Sequence, residues 1–164
     1  MSRNREYIPY IRKMIGHREV RATGVSALVV NEKDEILLEK RRDNGKYSLP
    51  GGCLDRDETI REGVLREIKE ETGLSLKGGN LFRIISPNKN KVTYPNGDVT
   101  AYTNIVFLFK VDSKECLLNR PHDEESTRIA FLPFDRLPGK EEFLVGSYEP
   151  IIKYKKKDFT IVVD

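Results

Sequence analysis

Residues 50–73 constrain this chain more tightly than any other stretch. Pro50-Gly51-Gly52 is a forced backbone bend, since proline fixes its own φ and glycine accepts conformations other residues avoid. Behind the bend, Asp57 to Thr72 has helical periodicity, with Ile60, Val64, Leu65 and Ile68 forming an apolar stripe. Asp57 is the expected N-cap and Gly73 the expected C-cap. A sharply bounded helix must therefore follow a glycine corner and lay its stripe on a core.

The polar side of that helix carries the chemistry. Arg66-Glu67-Ile68-Lys69-Glu70-Glu71 sets Glu67 three and four residues before Glu70 and Glu71, so the three carboxylates occupy neighbouring sites of one helical face. Glu58 and Glu62 extend the acidic ridge toward the helix start. Like charges at such spacings destabilise an isolated helix by roughly 0.2–0.5 kcal/mol per pair. A hard divalent cation relieves that repulsion, because Mg²⁺ takes oxygen ligands and keeps several waters and phosphate oxygens in its shell. Glutamate-rich faces are also commonly just solvated, so these six residues alone do not separate a metal site from a hydrated surface.

The rest of the chain reads as strands and two further helices. Tyr7, Ile8, Ile11, Met14 and Ile15 have amphipathic spacing and Gly16 ends them, giving an N-terminal helix within residues 1–17 that packs on the body or on a partner subunit. Val20 to Asn31 is rich in Val and Ala without polar alternation, as in a strand covered on both faces. After turn residues 31–34, Ile36-Leu37-Leu38 completes a hairpin. Leu81 to Ile85 and Thr100 to Val111 read as strands around the turn Tyr94-Pro95-Asn96-Gly97-Asp98, where Asn-Gly favours positive φ. Arg128 to Phe134 is a further strand, Glu149 to Lys157 a terminal helix and Phe159 to Val163 an extended end. This order predicts a mixed sheet with helices against it, an α/β or α+β sandwich, and residues 1–164 as a single domain.

Composition narrows the function classes. No stretch approaches the roughly 20 apolar residues of a bilayer span, and the first residues lack the apolar core of a signal peptide, so a cytoplasmic protein is expected. Cys53 and Cys116 are too few for a disulfide framework and form no zinc pattern; both are read as free thiols. A net charge of +3 from 29 basic and 26 acidic residues does not argue for nucleic acid. The run Lys153, Lys155, Lys156, Lys157 reads as a solvated helix end rather than a phosphate site.

The wider spacing is more specific. Gly52, five residues, Glu58, seven residues, then Arg66-Glu67-Ile68-x-Glu70-Glu71-x-Gly73-Leu74 fills all nine defined positions of the signature G-x5-E-x7-R-E-U-x-E-E-x-G-U, where U is aliphatic. The chain thereby resembles the Nudix hydrolase family, and Leu37-Leu38, Lys40-Arg41-Arg42 and Leu49-Pro50-Gly51-Gly52 add to the likeness outside the signature at 52–74.

The resemblance implies a Nudix-type α/β/α sandwich with a central mixed sheet, dependence on Mg²⁺ or Mn²⁺, and hydrolysis of a nucleoside diphosphate linked to another moiety. It makes Glu67 and Glu71 metal ligands, Glu70 a further ligand or water activator, and the Gly51 carbonyl another ligand. Arg66 would pair with Glu58 to hold the loop on the helix, a structural task shared with Gly52 and Gly73. The general base is Glu70 or one of Asp123-Glu124-Glu125, of which Glu125 is preferred; neighbouring His122 is read as a surface residue. Arg41 and Arg42 are either a phosphate clamp or exposed strand-end arginines. Tyr94, Tyr102 and Phe107 either stack on a base or pack in the core, and Tyr47 is expected beneath the loop. ADP-ribose or another nucleotide conjugate is the expected substrate, with a homodimer favoured through the N-terminal helix. The alternatives are a nucleoside triphosphate sanitiser, an RNA 5′-end pyrophosphohydrolase, or a non-catalytic nucleotide-binding module; intact Glu67, Glu70 and Glu71 argue against the last.

Overall fold

The computed structural model describes residues 7–116 and 124–161. Helix α1 (Tyr7–Ile15) leads into the hairpin β1 (Val20–Val30) and β2 (Ile36–Arg41). Short strands β3 (Tyr47–Ser48) and β4 (Gly51–Cys53) precede α2 (Ile60–Thr72). Then come β5 (Asn80–Ile85), β6 (Lys91–Thr93), β7 (Val99–Lys110), β8 (Ser126–Leu132) and α3 (Tyr148–Lys155).

The sheet is mixed, with the path β3-β2-β1-β7-β5. β1 and β7 run parallel in unbroken register from Val20↔Thr100 to Val30↔Lys110. On its other side β1 divides: its end pairs antiparallel with β2 at Val30↔Ile36, while its middle pairs with β4, matching Gly24 to Cys53, Val25 to Gly52 and Ser26 to Gly51. Strand alternation then sorts β1 between two cores. Leu28 and Val30 face Ile151 and Tyr154 of α3, together with Phe82 and Val106. Val25, Ala27 and Val29 face Val64 and Ile68 of α2, together with Phe107 and Phe109. A run of Val and Ala without alternation is thus a strand buried on both faces, in an α/β/α sandwich.

Several boundaries differ from the sequence expectation for local reasons. Thr59, not Asp57, caps α2: its Oγ accepts from the Glu62 backbone N–H while the Glu62 side chain accepts from the Thr59 backbone N–H at 2.7 Å. This reciprocal capping box outcompetes the lone aspartate two residues earlier. Ile60, placed in the apolar stripe, is exposed as the first residue of that turn, whereas Val64 and Ile68 are fully buried. Gly73 does close the helix in the left-handed region at φ 75°. β6 goes unpredicted because three residues, Lys91-Val92-Thr93, carry too short a pattern; β7 supplies the pairing. Glu39 is fully buried mid-strand, accepting from the Ser48 and Ser126 hydroxyls at 2.9 Å each, and so ties β2 to β3 and β8.

Candidate active site

Gly51 and Gly52 are consecutive, so they point to opposite faces of the sheet. A Cβ on Gly51 would lie 2.2 Å from the Val25 carbonyl oxygen, so backbone contact dictates glycine there. A Cβ on Gly52 would lie 2.6 Å from Glu67 Oε1, so its missing side chain is the space the α2 carboxylate occupies. The Gly51 N–H donates to Glu71 Oε2 at 2.8 Å. Glu67 and Glu71, one helical turn apart, are 7% and 3% exposed and face this corner. Glu70 diverges from them: its side chain is 41% exposed.

Arg66 organises the acidic groups. Its Nε and Nη2 donate to the two Glu58 carboxylate oxygens at 2.9 and 2.6 Å, a fork on a fork. Nη2 also reaches the Cys53 carbonyl at 3.2 Å, and Nη1 donates to Glu67 Oε1 at 2.7 Å and Glu70 Oε2 at 3.3 Å. The Glu58 carboxylate, followed by Glu67, pushes the Arg66 pKa further above its ordinary value despite desolvation. Glu58 in turn accepts from the Asp55 N–H at 2.8 Å, so the loop between β4 and α2 is pinned to the helix through one guanidinium.

Arg66, Glu67, Glu71 and residues 51–55 line a cleft of about 550 Å³, a volume suited to a nucleotide-sized ligand. Glu67, Glu71, Gly51 and Gly52 line it together with Asp43 and Glu125. Glu125, which precedes β8, therefore shares the cleft with the helix carboxylates; Glu70 does not line it. His122 and Asp123 lie outside the described residues. Arg42 donates from Nε to the Glu124 carbonyl at 2.8 Å, and its N–H donates to the Glu125 carbonyl at 2.8 Å, so it fastens the start of β8 to the end of β2. Arg41 forks onto Asp43 at 3.0 and 2.9 Å and borders a second, smaller cavity. Burial opposes the Arg41 charge, yet hydrogen-bonded Asp43, with Glu39 and Glu125 nearby, keeps its pKa raised.

Helix α1 supplies part of the cleft wall with Ile8 and Arg12. Arg12 docks it on the sheet, donating from Nη1 to the Gly16 carbonyl at 3.2 Å and from Nη2 to Thr100 Oγ1 at 3.1 Å and the Val99 carbonyl. His17 Nδ1 meets Asp98 Oδ1 at 2.8 Å. The 94–98 turn, with Gly97 at φ 87°, thereby joins α1 to the cleft rim. Tyr94 and Tyr102 touch through their hydroxyls at 2.8 Å and border both the cleft and the smaller cavity, whereas Phe107 is buried in the core against α2. Burial raises the Tyr102 pKa, helped by Tyr94. Desolvation, followed by the Glu67 charge, pushes the Cys53 thiol to about 11, and no disulfide links it to Cys116. Tyr47 packs against Phe143 with ring centroids 6.2 Å apart.

Sequence reasoning missed Asp43, Arg12 and Asp98. Asp43 sat in a turn sequence where aspartate has a conformational explanation. Arg12 stood on the polar side of an amphipathic helix, where nothing local marks a docking residue. The donor set nevertheless fits a hard divalent cation: the Glu67 carboxylate occupies the space Gly52 leaves open, and the Glu71 carboxylate lies against the neighbouring Gly51 N–H. Among the described residues no three acidic, histidine or cysteine side chains enclose a metal by themselves. Mg²⁺ bound there would complete its shell with water and substrate oxygens, as that ion ordinarily does.

An α/β/α sandwich whose glycine corner meets two buried helix carboxylates at a nucleotide-sized cleft defines a hydrolase of the Nudix fold. The family model for the NUDIX domain matches residues 20–154, and the chain belongs to that family of hydrolases. It is 34% identical over 157 residues to the ADP-ribose pyrophosphatase of Methanocaldococcus jannaschii, covering 88% of this chain and 83% of that protein. It is 45% identical over 56 residues to a MutT-like protein of Streptomyces ambofaciens, covering 34% of this chain and 36% of that one. Among solved structures, an ADP-ribose pyrophosphatase of Streptococcus suis shares the fold at a TM-score of 0.62 and 24% identity, over 87% of this chain and 98% of that one. Among the described residues no helix is long and apolar enough to cross a membrane.

Proposed function

We propose that the chain hydrolyses the phosphoanhydride bond of a nucleoside diphosphate joined to a second moiety, with Mg²⁺ or Mn²⁺ as cofactor and ADP-ribose as the leading substrate. The observation that carries this reading is the placement of Glu67 and Glu71, both buried, against the Gly51-Gly52 corner beside the cleft. ADP-ribose leads because a relative matched over 88% of this chain and 83% of its own length bears that activity in its name.

Glu67, Glu71 and the Gly51 carbonyl would hold the cation, with Glu70 an outer contributor through its contact with Arg66. When bound, the cation polarises the phosphoanhydride oxygens and lowers the pKa of a coordinated water. The chain's own contribution is alignment and proton transfer. Arg66 and Glu58 hold the loop between β4 and α2 in register with the helix, so that carboxylates and glycine backbone are set before substrate arrives. Glu125 takes the proton of the attacking water, a role supported by its place among the residues that line the cleft with Glu67 and Glu71. Arg41, which lines the smaller cavity beside Asp43, is the phosphate-facing arginine of this reading; Arg42 is engaged with the backbone of residues 124–126.

The test is a panel of ADP-ribose, nucleotide sugars, dinucleoside polyphosphates and nucleoside triphosphates incubated with Mg²⁺, with products identified by mass. Conjugates should be cut at the phosphoanhydride and triphosphates left largely intact; preferential release of pyrophosphate from triphosphates would favour a sanitising enzyme instead. In the same assay Glu125→Gln should lower kcat by about 10² to 10⁴ and Glu70→Gln much less. The reverse order would assign the base to Glu70.

A further inference from the structure

Glu39 is a carboxylate in a strand whose preceding residues are core. Leu37 and Leu38 are 0% and 2% exposed, and Glu39 itself only 1%. Burying a charge among apolar groups is costly unless it is well paired, and an apolar residue of similar size would often serve stability as well or better. Side chains alternate along β2, so Glu39 shares a face with Leu37, which packs in the α2 core. It stands opposite Ser48 on β3 and Ile129 on β8. The carboxylate therefore lies on the face of the sheet that receives the helix bearing Glu67 and Glu71.

Its two oxygens serve two different strands. Oε1 accepts from the Ser48 hydroxyl and Oε2 from the Ser126 hydroxyl, each at 2.9 Å, and both serines are buried. Ser48 leads through Leu49 into Pro50, whose carbonyl accepts from the Ala27 N–H at 2.8 Å as the chain enters the glycine corner. Ser126 directly follows Glu125, which is exposed.

The pairing of β2 with β8 slips at this same point. It is regular from Ile36↔Leu132 to Lys40↔Arg128, and then Arg41 pairs with Ser126, leaving Thr127 as the extra residue of a bulge. Bulges re-aim side chains and are common beside active sites. This one brings Ser126, rather than Thr127, opposite Arg41 and so onto the Glu39 face. Arg42 secures the neighbouring backbone: its N–H donates to the Glu125 carbonyl and its Nε to the Glu124 carbonyl, both at 2.8 Å. The Glu125 backbone is thus fixed at its own carbonyl by Arg42 and at the next residue by Glu39.

We propose that Glu39 is a positioning residue for catalysis: by holding Ser48 and Ser126 on one carboxylate, it fixes where Glu125 stands relative to the glycine corner and the carboxylates of α2. The inference rests on the reading of Glu125 as the base, and it adds a residue that lines neither cavity. What a buried polar link supplies in exchange for its desolvation is one fixed geometry. That matters here because a displacement of about 1 Å can cost roughly 10²-fold in rate, and the exposed Glu125 side chain is not held by burial.

The experiment is a kinetic cycle in Mg²⁺, with the conjugate that the panel above shows to be best cut, on the wild type, Ser126→Ala, Glu125→Gln and the double variant. Ser126→Ala should lower kcat by about tenfold with KM little changed. The same substitution should cost less than about twofold once Glu125 is already Gln, because the group it positions no longer takes the proton. Glu39→Gln, whose amide offers one acceptor oxygen to the two serines, should repeat this pattern in both backgrounds; Ser126→Ala carries the test alone where Glu39→Gln does not fold. Losses that multiply in the double variant, the mark of a general loosening of the fold, would overturn the proposal, as would wild-type kcat in Ser126→Ala. In either case Glu125→Gln stays slow and the choice of base stands. A wild type that cuts no conjugate, or a Glu125→Gln protein with wild-type kcat, defeats the hydrolase reading or its choice of base, and the inference with it.

Discussion

Gly51 and Gly52 are neighbours in sequence and opposites in role. The first is glycine because the Val25 carbonyl and the Ser26 Cα leave no room for a side chain, the second because Glu67 fills the space its side chain would take. Gly51→Ala is therefore expected to cost stability, about 1–3 kcal/mol from overpacking against backbone that cannot move aside, read as a lower urea midpoint. Gly52→Ala meets only the end of a side chain, so it should unfold close to wild type yet lose on the order of 10- to 100-fold in metal-dependent activity, as expected when a metal ligand is misplaced. Equal stability losses in the two variants would remove the distinction. The signature marks Gly52 but leaves Gly51 as an ordinary turn glycine; only the β1–β4 pairing shows why both are needed.

Helix α2 was legible in sequence because a 3.6-residue apolar period runs up to a left-handed glycine, although its Thr59–Glu62 capping box went unread. Its start was misplaced only because an acidic residue stands two positions before the true cap. Helix α1 was legible as a helix but not in its docking, since Arg12, His17 and Asp98 meet across more than eighty residues of chain. The His17 hydrogen bond, with Asn96 and the Arg12 charge, holds the Asp98 carboxyl below its ordinary range. A depressed folded-state pKa means the contribution is present above the unfolded value, which for this carboxyl is 3.8, and is lost as pH falls through the lower folded value. Acid titration followed by NMR should thus release α1 from the 94–98 turn below about pH 4, and Asp98→Asn should weaken the docking already at neutral pH. Unchanged α1 resonances in that variant would show that Arg12 holds the helix alone.

The two faces of the sheet divide the work of the whole molecule. One face packs on α2 and brings its carboxylates to β4; the other packs on α3; all three β4 residues border both the cleft and the smaller cavity. Sequence reasoning reached the sandwich and the helix carboxylates because both are written in local periods and spacings. It did not reach Asp43 or the buried Glu39, whose roles come from partners that the folded chain brings to them. Glu70 shows the complementary limit: spacing puts it on one helical face with Glu67 and Glu71, but burial separates it from them.

The central claim is that Glu67 and Glu71, set against the glycine corner, hold one divalent cation. Its most direct test is Mn²⁺ binding followed by electron paramagnetic resonance on the wild type and on Glu71→Gln, which removes charge while keeping volume. The wild type should bind the ion at a single saturable site and Glu71→Gln should bind it at least about tenfold more weakly with its circular dichroism unchanged. Equal Mn²⁺ affinity in the two proteins would contradict the account.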